Sequence, residues 1–326
     1  MTRMNHTAEN VNPIRAYGIG ESDPLSDVLG LLHLENFLSR RFEASGSWAL
    51  KFPEYSHMKF RSVIEGQRWI WIVGATEPVE LSPGDFYLIS SGEPYCFASD
   101  AHATPVDGLE LMEKHLDQDG VVRFNAGEGK TVGIGGRFKL DDDAGGFLLR
   151  SLPPLIHMRA DSGQVLALRA ALDLFIYETA VMRPGKSAIG GSLCTIVLVN
   201  ILRAYLSNGE KPEGWLGALA DPKIGTVVGM IHDDVAHRWT LQELANCVGM
   251  SRTSFAERFR KRVGMAPLEY LTRWRMTLAR SDLRRNGDNL AKIAEKIGYD
   301  SETSFSAAFR RSFGQSPGKY RALNQE

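Results

Sequence analysis

The sequence has few cysteines and lacks the apolar segments that secretion or membrane insertion requires. Its 326 residues include only Cys96, Cys194 and Cys247, which lie far apart and form no CxxC pair. This spacing argues against a disulfide framework or a structural zinc and favours a reducing cytoplasm. The first residues contain no apolar stretch typical of a secretory signal. The longest apolar run, residues 193–202, is interrupted by Asn200 and is too short to span a bilayer. We therefore expect a cytoplasmic protein without metal or cofactor.

The net charge of −1 hides an asymmetry between the two ends of the chain. Residues 1–229 contain 21 lysines and arginines against 28 acidic residues, whereas residues 230–326 contain 17 against 11. The body therefore carries −7 and the C-terminal part +6. A basic end is expected when one part of a protein meets a polyanion such as nucleic acid. Because most charged faces are simply solvated, the charge alone leaves the partner open.

The length suits two domains, and the patterning changes along the chain. Residues 1–22 are polar, and we expect a disordered tail. Residues 23–157 contain many short strands with glycine and proline turns, which predict a β-barrel or sandwich. Two strand pairs are predicted as hairpins, one about Glu65-Gly66-Gln67 and one joining residues 79–81 to 86–89. Two amphipathic helices follow at 158–210, then a linker at 211–222 and a basic helical domain at 223–322. The fold class is α+β and multidomain.

The last hundred residues contain a repeat. An identical or similar residue lies 49 positions after each of Leu241, Leu244, Ala245 and Gly249. An identical residue lies 50 positions after each of Ser251, Phe255, Phe259, Gly264, Pro267 and Tyr270. Each unit predicts a short helix, a glycine turn and a second helix capped by Ser251 or Ser301. The phenylalanines, four residues apart, mark the buried face of that second helix.

Helix pairs with a glycine turn form the helix-turn-helix unit, whose second helix enters the major groove of DNA. The alternative is a helical hairpin repeat without a role in DNA binding. Two units are too few for a solenoid, and both second helices end in basic residues, so we predict DNA binding.

Two sequence motifs carry a family resemblance over residues 223–322. They are G-M-S-R-T-S-F-A-E-R-F-R-K-R-V-G at 249–264 and G-Y-D-S-E-T-S-F-S-A-A-F-R-R-S-F-G-Q-S-P-G-K-Y-R at 298–321. This part resembles the DNA-binding domain of the AraC/XylS family of bacterial transcription regulators. The resemblance implies two helix-turn-helix units joined by a linker helix, here 268–285. It also implies a regulator of double-stranded DNA that works with RNA polymerase, an activator rather than a repressor, and no enzymatic activity.

Helical geometry and the resemblance together indicate the DNA-contacting residues. The outward arcs and groove entrances hold the expected base-reading residues Arg252, Thr253, Ala256, Glu257, Arg260, Glu302, Thr303, Ser306, Ala307 and Arg310. A glutamate can accept from cytosine N4, and a threonine methyl can contact thymine. Phosphate contacts, which position without specifying sequence, are expected from Arg258, Lys261 and Arg311. For any one arginine, the alternative is a solvated surface charge.

The first half carries a second resemblance. L-S-P-G-D-F-Y-L-I at 81–89, G-E-P-Y at 92–95 and L-P-P-L-I-H at 152–157 make it similar to the cupin-type sensor domain that precedes this DNA-binding domain in one branch of the family. The resemblance implies a barrel with an inner pocket and a homodimer formed by the helices at 158–210. Candidate pocket residues, for each of which ordinary barrel core is the alternative, are Trp48, Tyr55, His57, Arg61, Trp69, Trp71, Tyr95 and Cys96.

The signal and the competing functions stay open at the level of sequence. We expect a small-molecule effector, with a redox-sensing regulator as the alternative, although a redox role needs an exposed thiol of low pKa. The competing class is a cupin enzyme or ligand-binding protein whose helical tail binds another protein. Metal cupins need a cluster of histidines, but this chain has His57-Met58-Lys59, and Tyr95 where a histidine is expected.

Overall fold

A computed structural model describes residues 23–31, 40–125, 127–138, 152–160, 165–180, 184, 186–207, 214–285 and 287–324. The predicted disordered tail at 1–22 lies outside these residues. The strands are β1 Arg40–Ala44, β2 Ala49–Phe52, β3 Met58–Glu65, β4 Arg68–Ile72, β5 Val79–Leu81, β6 Phe86–Ile89, β7 Tyr95–Ala98, β8 Val106–Asp107, β9 Val121–Phe124, β10 Thr131–Phe138 and β11 Leu155–Met158. The helices are α1 Pro24–Leu31, α2 Gly108–Lys114, α3 Val165–Ala180, α4 Lys186–Ser207, α5 Gly214–Leu219, α6 Pro222–Asp233, α7 Leu241–Cys247, α8 Arg252–Val263, α9 Pro267–Arg285, α10 Leu290–Lys296, α11 Glu302–Phe313 and α12 Pro317–Asn324.

The strands form two facing sheets, as predicted for a barrel or sandwich. Within the described residues, one sheet has the order β11-β6-β3-β10-β1-β9 and the other β5-β4-β7-β2-β8. The two predicted hairpins are wrong as pairings, although all four strands exist. β3 and β6 pair with each other in the first sheet, while β4 and β5 pair in the second. Each turn therefore carries the chain across the sandwich. Alternation of apolar residues indicates which side chains face the core, but it does not say which strand is the neighbour.

Two cores lie on either side of the first sheet. Between the sheets, aromatic and aliphatic side chains such as Phe42, Trp48, Phe97 and Ile70 pack together. On the outer face of the first sheet, residues such as Phe60 share a second core with α1, α3, α4 and the first helices of the C-terminal domain. The helices at 158–210 thus cover a barrel face, as their wide apolar surfaces suggest.

The predicted linker at 211–222 is wrong in its second half. Residues 214–219 form α5, in which Trp215 and Leu216 are almost completely buried against the C-terminal helices. Asp221 caps the next helix by accepting hydrogen bonds from the backbone amides of Lys223 and Ile224. The proline and glycine at 212–214 suggested an exposed connection, but burial of the tryptophan makes α5 part of the helical domain.

One described segment, Ile189–Ser207, is long and apolar enough to cross a membrane. Slightly under half of it is buried inside the protein, and core helices of globular domains have the same length and composition. Its buried residues belong to the core beneath the first sheet, so packing on the barrel accounts for this apolar character.

Candidate nucleic-acid interface and sensor cavity

The structure confirms the repeated helix-turn-helix unit. α7 and α8 form the first unit, and α10 and α11 the second. Gly249 and Gly298 sit at the turns with φ of +60° and +79°. In this left-handed region glycine carries no steric cost, which explains its place in both units. Ser251 and Ser301 cap the second helices, each accepting a hydrogen bond from a serine amide three residues later.

The two units have the same buried core. Phe255 and Phe259 are fully buried and meet edge-on, with ring centroids 5.7 Å apart, and Tyr270 packs on the second ring at 5.8 Å. The second unit repeats this arrangement with Phe305, Phe309 and Tyr320. α9 joins the units over 19 residues and begins one residue before the predicted linker helix. At a rise of 1.5 Å per residue it spans about 28 Å.

With the phenylalanines buried, the predicted base-reading arcs face solvent. The exposed members are Arg252, Thr253, Glu257, Arg260, Glu302, Thr303, Ala307 and Arg310, and the half-buried ones are Ala256 and Ser306. Both helices end in basic residues, with Lys261 exposed on α8 and Arg311 exposed on α11. The structure therefore leaves these side chains available to a partner.

Arg258, predicted as a phosphate contact, has an exposed side chain that forms an ion pair within the protein. Its guanidinium donates from Nε and Nη2 to both carboxylate oxygens of Asp221, at 2.8–3.1 Å. Asp221 is buried, and Arg262 lies 3.3 Å from the same carboxylate. Burial opposes ionisation of Asp221, but hydrogen bonds from Arg258 and from two backbone amides outweigh it and lower its pKa. Arg258 thus fastens α8 to the start of α6, and its expected contact with phosphate stays a prediction in which the guanidinium also keeps its anionic partner Asp221.

A buried chain of hydrogen bonds connects α1 with the helical domain. The indole Nε1–H of Trp215 donates to the Tyr270 hydroxyl at 2.7 Å. That hydroxyl lies 2.7 Å from Nε2 of His232, whose Nδ1 lies 2.9 Å from a carboxylate oxygen of Asp27. The carboxylate of Asp27 accepts from Nδ1–H, so Nε2 of the neutral imidazole accepts from the Tyr270 hydroxyl, whose oxygen accepts from the indole. His232 also stacks on Trp274, with ring centroids 4.0 Å apart.

The structure brings together only part of the predicted pocket. Tyr55, His57, Arg61 and Tyr95 cluster at one end of the space between the sheets, around Lys59. Trp48 lies in the same core but packs among phenylalanines. Three predicted residues are wrong because they project from the opposite face of the second sheet: Trp69, Trp71 and Cys96. Their strands alternate, and it is Ile70, Ile72 and Phe97 that face inward.

The interior contains a narrow gap without room for a water molecule. It is lined by Phe42, Leu50, Phe52, Arg61, Tyr95, Phe97 and Met112. Sequence reasoning missed its apolar members, Phe42, Leu50, Phe52, Phe97 and Met112, because residues of these types are also expected in an ordinary core. Sequence reasoning also missed Lys59 as a residue of the barrel interior. Its position two residues before Arg61 on β3 places both on the same face of the strand and could have indicated this.

Two of the three cysteines lack the features of a redox sensor. Cys96 and Cys194 are buried, and burial raises the pKa of both thiols, that of Cys194 to about 12. A raised pKa keeps a thiol protonated and therefore unreactive. Cys247 is exposed, and it lies at the end of the first helix of the first helix-turn-helix unit.

Comparisons with known proteins agree with this architecture. Residues 23–207 match the Cupin family and residues 244–323 the Helix-turn-helix domain family. A putative AraC-like transcription regulator of Streptomyces lividans is 38% identical over 92% of this chain and 98% of its own length. The HTH-type transcriptional regulator AlkR of Acinetobacter baylyi is 31% identical over 92% of this chain and 99% of its own length. A solved AraC-type regulator structure from Chromobacterium violaceum is 25% identical over 33% of this chain and 97% of that one, with a TM-score of 0.31. The chain therefore belongs to the AraC family of DNA-binding transcription regulators, with a cupin domain before its helix-turn-helix domain.

Proposed function

We propose that α8 and α11 read base edges in two successive major grooves on one face of double-stranded DNA. The observation that carries this proposal is the duplicated geometry: two capped helices, anchored by paired phenylalanines, present polar arcs at the ends of one helix. The span of α9, about 28 Å, is close to the groove repeat of about 34 Å. Thr253, Glu257 and Arg260 are the proposed readers in the first unit, while Thr303 and Arg310 serve in the second. Lys261 and Arg311 contact phosphates.

Selection of random duplex DNA by the full-length protein tests this proposal. We expect an enriched motif with two half-elements about one helical turn apart. Thr253→Ala, Glu257→Ala and Thr303→Ala should each relax the preference at single positions, because one base contact is worth about 1–3 kcal/mol. Glu295→Ala, an exposed change on α10, is the matched control and should leave the motif intact. A protein that enriches no sequence, or variants that weaken every sequence equally, would contradict base reading by these arcs.

A second copy of the chain is the proposed occupant of the exposed face of α3 and α4. Both helices expose large apolar side chains: Leu166, Leu174 and Tyr177 on α3, and Ile189 and Ile196 on α4. Spacings of 8, 3 and 7 residues keep each set on one helix face. Apolar stripes of this kind mark protein interfaces, and a two-fold dimer would align two DNA-binding domains. Leu174→Glu should make the protein monomeric in sedimentation velocity, whereas Leu323→Glu, a change at an exposed residue of α12, should leave it dimeric. If both variants were monomeric, or both dimeric, the result would contradict this interface.

The barrel is the proposed sensor, and α1 the proposed connection to the DNA-binding domain. α1 buries Leu25 and Val28 in the core shared by the first sheet and the helical domain, and its Asp27 holds His232. An effector that shifts this packing would change how the two DNA-binding domains are held, as a population shift. We propose that the protein acts in the cytoplasm as an activator working with RNA polymerase. Reporter transcription with and without Asp27→Asn tests the connection, since that variant should alter the response to effector.

A further inference from the structure

The two helix-turn-helix units have separate hydrophobic cores, and the boundary between these cores falls within α9. Tyr270 and Trp274 belong to the core that contains the first unit, whereas Met276 and Leu283 belong to that of the second. Among the described residues, Leu278 is the one partly buried apolar side chain that packs on both cores. Apolar packing therefore makes each unit compact but does little to fix the angle between them.

Arg275 lies at this boundary and binds a loop of the first unit. Its Nε donates to the carbonyl of Val235 at 2.9 Å, and its Nη2 donates to the carbonyls of Ala236 and His237 at 3.3 and 2.9 Å. These three carbonyls follow one another in the loop at 234–240, which joins α6 to α7. An arginine can hold such a run of acceptors because its guanidinium presents several N–H donors in one rigid plane.

The loop itself is anchored in the first unit. Val235 and Trp239 pack on the core that contains this unit, and the indole N–H of Trp239 donates to the carbonyl of Asp234 at 2.9 Å. Hydrogen bonds to this loop therefore connect Arg275 to the first unit as a whole.

The same guanidinium also contacts the turn of the second unit. Its Cζ lies 5.8 Å from the ring centroid of Tyr299, within the range of a cation–π contact. Tyr299 packs on the buried Phe305 of α11, with ring centroids 6.0 Å apart. A series of contacts thus runs from the loop of the first unit through Arg275 to the proposed reading helix of the second.

The loop and the turn also meet directly. A Cβ added to Gly298 would collide with the carbonyl oxygen of Ala236 and would lie 2.6 Å from Nη2 of Arg275, so the glycine allows the two backbones to approach. Arg238 of the loop forms an ion pair with Asp300 of the turn, but both side chains are mostly exposed, and such pairs contribute little. Arg275 is half-buried and donates three hydrogen bonds, so it is the stronger of the two polar connections.

We propose that Arg275 is a positioning residue that fixes the angle between the two helix-turn-helix units and thereby sets the spacing of the two half-elements recognised in DNA. This inference rests on the proposed reading of two successive major grooves and adds the residue that determines its geometry. One base pair inserted between the half-elements moves the second by about 3.4 Å and rotates it by about 35°. A rigid pair of units rejects this change. A pair joined by α9 alone tolerates it, but binds the correct spacing more weakly because more freedom is lost on binding.

Binding to DNA of altered spacing tests the proposal. The probe is the motif selected by the wild-type protein, with one base pair inserted or deleted between its half-elements. In fluorescence anisotropy the full-length wild type should lose at least about tenfold in affinity on either change, because at least one base contact is lost, whereas Arg275→Met should lose less than about threefold. The matched control is Arg273→Met, a change of an exposed arginine on the same helix, which should keep the wild-type sensitivity to spacing.

A distance measurement without DNA tests the geometry directly. Nitroxide labels on Gln242→Cys and Ala291→Cys, equivalent exposed positions on α7 and α10, report the distance between the units by double electron–electron resonance. The labelling uses a Cys247→Ser background because Cys247 is exposed. We expect one narrow distance distribution when Arg275 is present and a broader one in Arg275→Met. Arg275→Lys, which keeps the charge but lacks the planar fork, should give an intermediate width.

Three results would overturn the proposal: equal sensitivity to spacing in Arg275→Met and the wild type, the same loss of sensitivity in Arg273→Met, or a distance distribution that Arg275→Met does not broaden. Circular dichroism checks that each variant keeps its helices, and Arg275→Gln takes the place of Arg275→Met if the latter does not fold. A wild type that enriches no motif with two half-elements would refute the reading of two grooves, and the distance measurement would then test the role of Arg275 by itself.

Discussion

The hydroxyl of Tyr270 offers a sharp test of how the helical domain is held together. Tyr270→Phe removes one buried oxygen and leaves the ring in place, so no cavity forms. Trp215 then loses the acceptor of its indole N–H, and His232 loses the donor to Nε2. A buried polar group without its partner costs about 1–3 kcal/mol, so two such groups predict a loss of about 3 kcal/mol. Burial raises the pKa of Tyr270 well above its ordinary range, so the hydroxyl that the variant removes is protonated at neutral pH.

The repeat provides the control for this experiment. Tyr320 occupies the equivalent position in the second unit and packs on Phe309 in the same way, but its hydroxyl makes no such hydrogen bond with the described residues. Tyr320→Phe should therefore change stability by less than about 1 kcal/mol. Hydrogen exchange of the α9 amides measures the local free energy of opening in the intact protein. A Tyr270→Phe cost equal to that of Tyr320→Phe would refute the role assigned to the buried chain.

Three further predictions concern the stability contributed by an ion pair, by the turn glycines and by a half-buried lysine. Asp221→Asn keeps the helix cap but loses the ion pair with α8, which should lower the free energy of unfolding in urea by roughly 2 kcal/mol near neutral pH. Because folding lowers the pKa of Asp221, the difference between variant and wild type should disappear as the pH falls through that lowered pKa. Gly249→Ala should cost about 1–2 kcal/mol for its positive φ alone, whereas Gly298→Ala should cost more in the same assay, because the added Cβ would collide with the carbonyl of Ala236. Burial and the charges of Arg61 and Arg137 lower the pKa of Lys59 from its ordinary 10.5 to about 7, so the unfolded chain binds more protons between these values. The free energy of unfolding should therefore rise with pH across that window, and Lys59→Met should remove the rise.

The DNA-binding half could be predicted from sequence in detail because its rules are local. Serine caps, glycine turns and phenylalanines four residues apart act within one or two helical turns, and duplication makes each unit a check on the other. The resemblance of two short motifs supplied the rest. The ion pair of Arg258 could not be predicted in this way, since its partner Asp221 lies 37 residues away in sequence.

The sensor half shows what depended on tertiary structure. Alternation on β3 and β4 identified strands, yet the crossing of the chain between sheets decided that Trp69 and Trp71 face outward while Lys59 and Arg61 lie between the two sheets. The alternation of side chains along a strand separates its two faces, but it does not indicate which sheet the strand joins. Likewise, the contact of Asp27 with His232 spans 205 residues, and only packing of α1 on the helical domain creates it. Local chemistry therefore set the elements and the reading helices, whereas the assembly of the sheets buried the charged side chains of β3 and the packing of α1 connected the two domains.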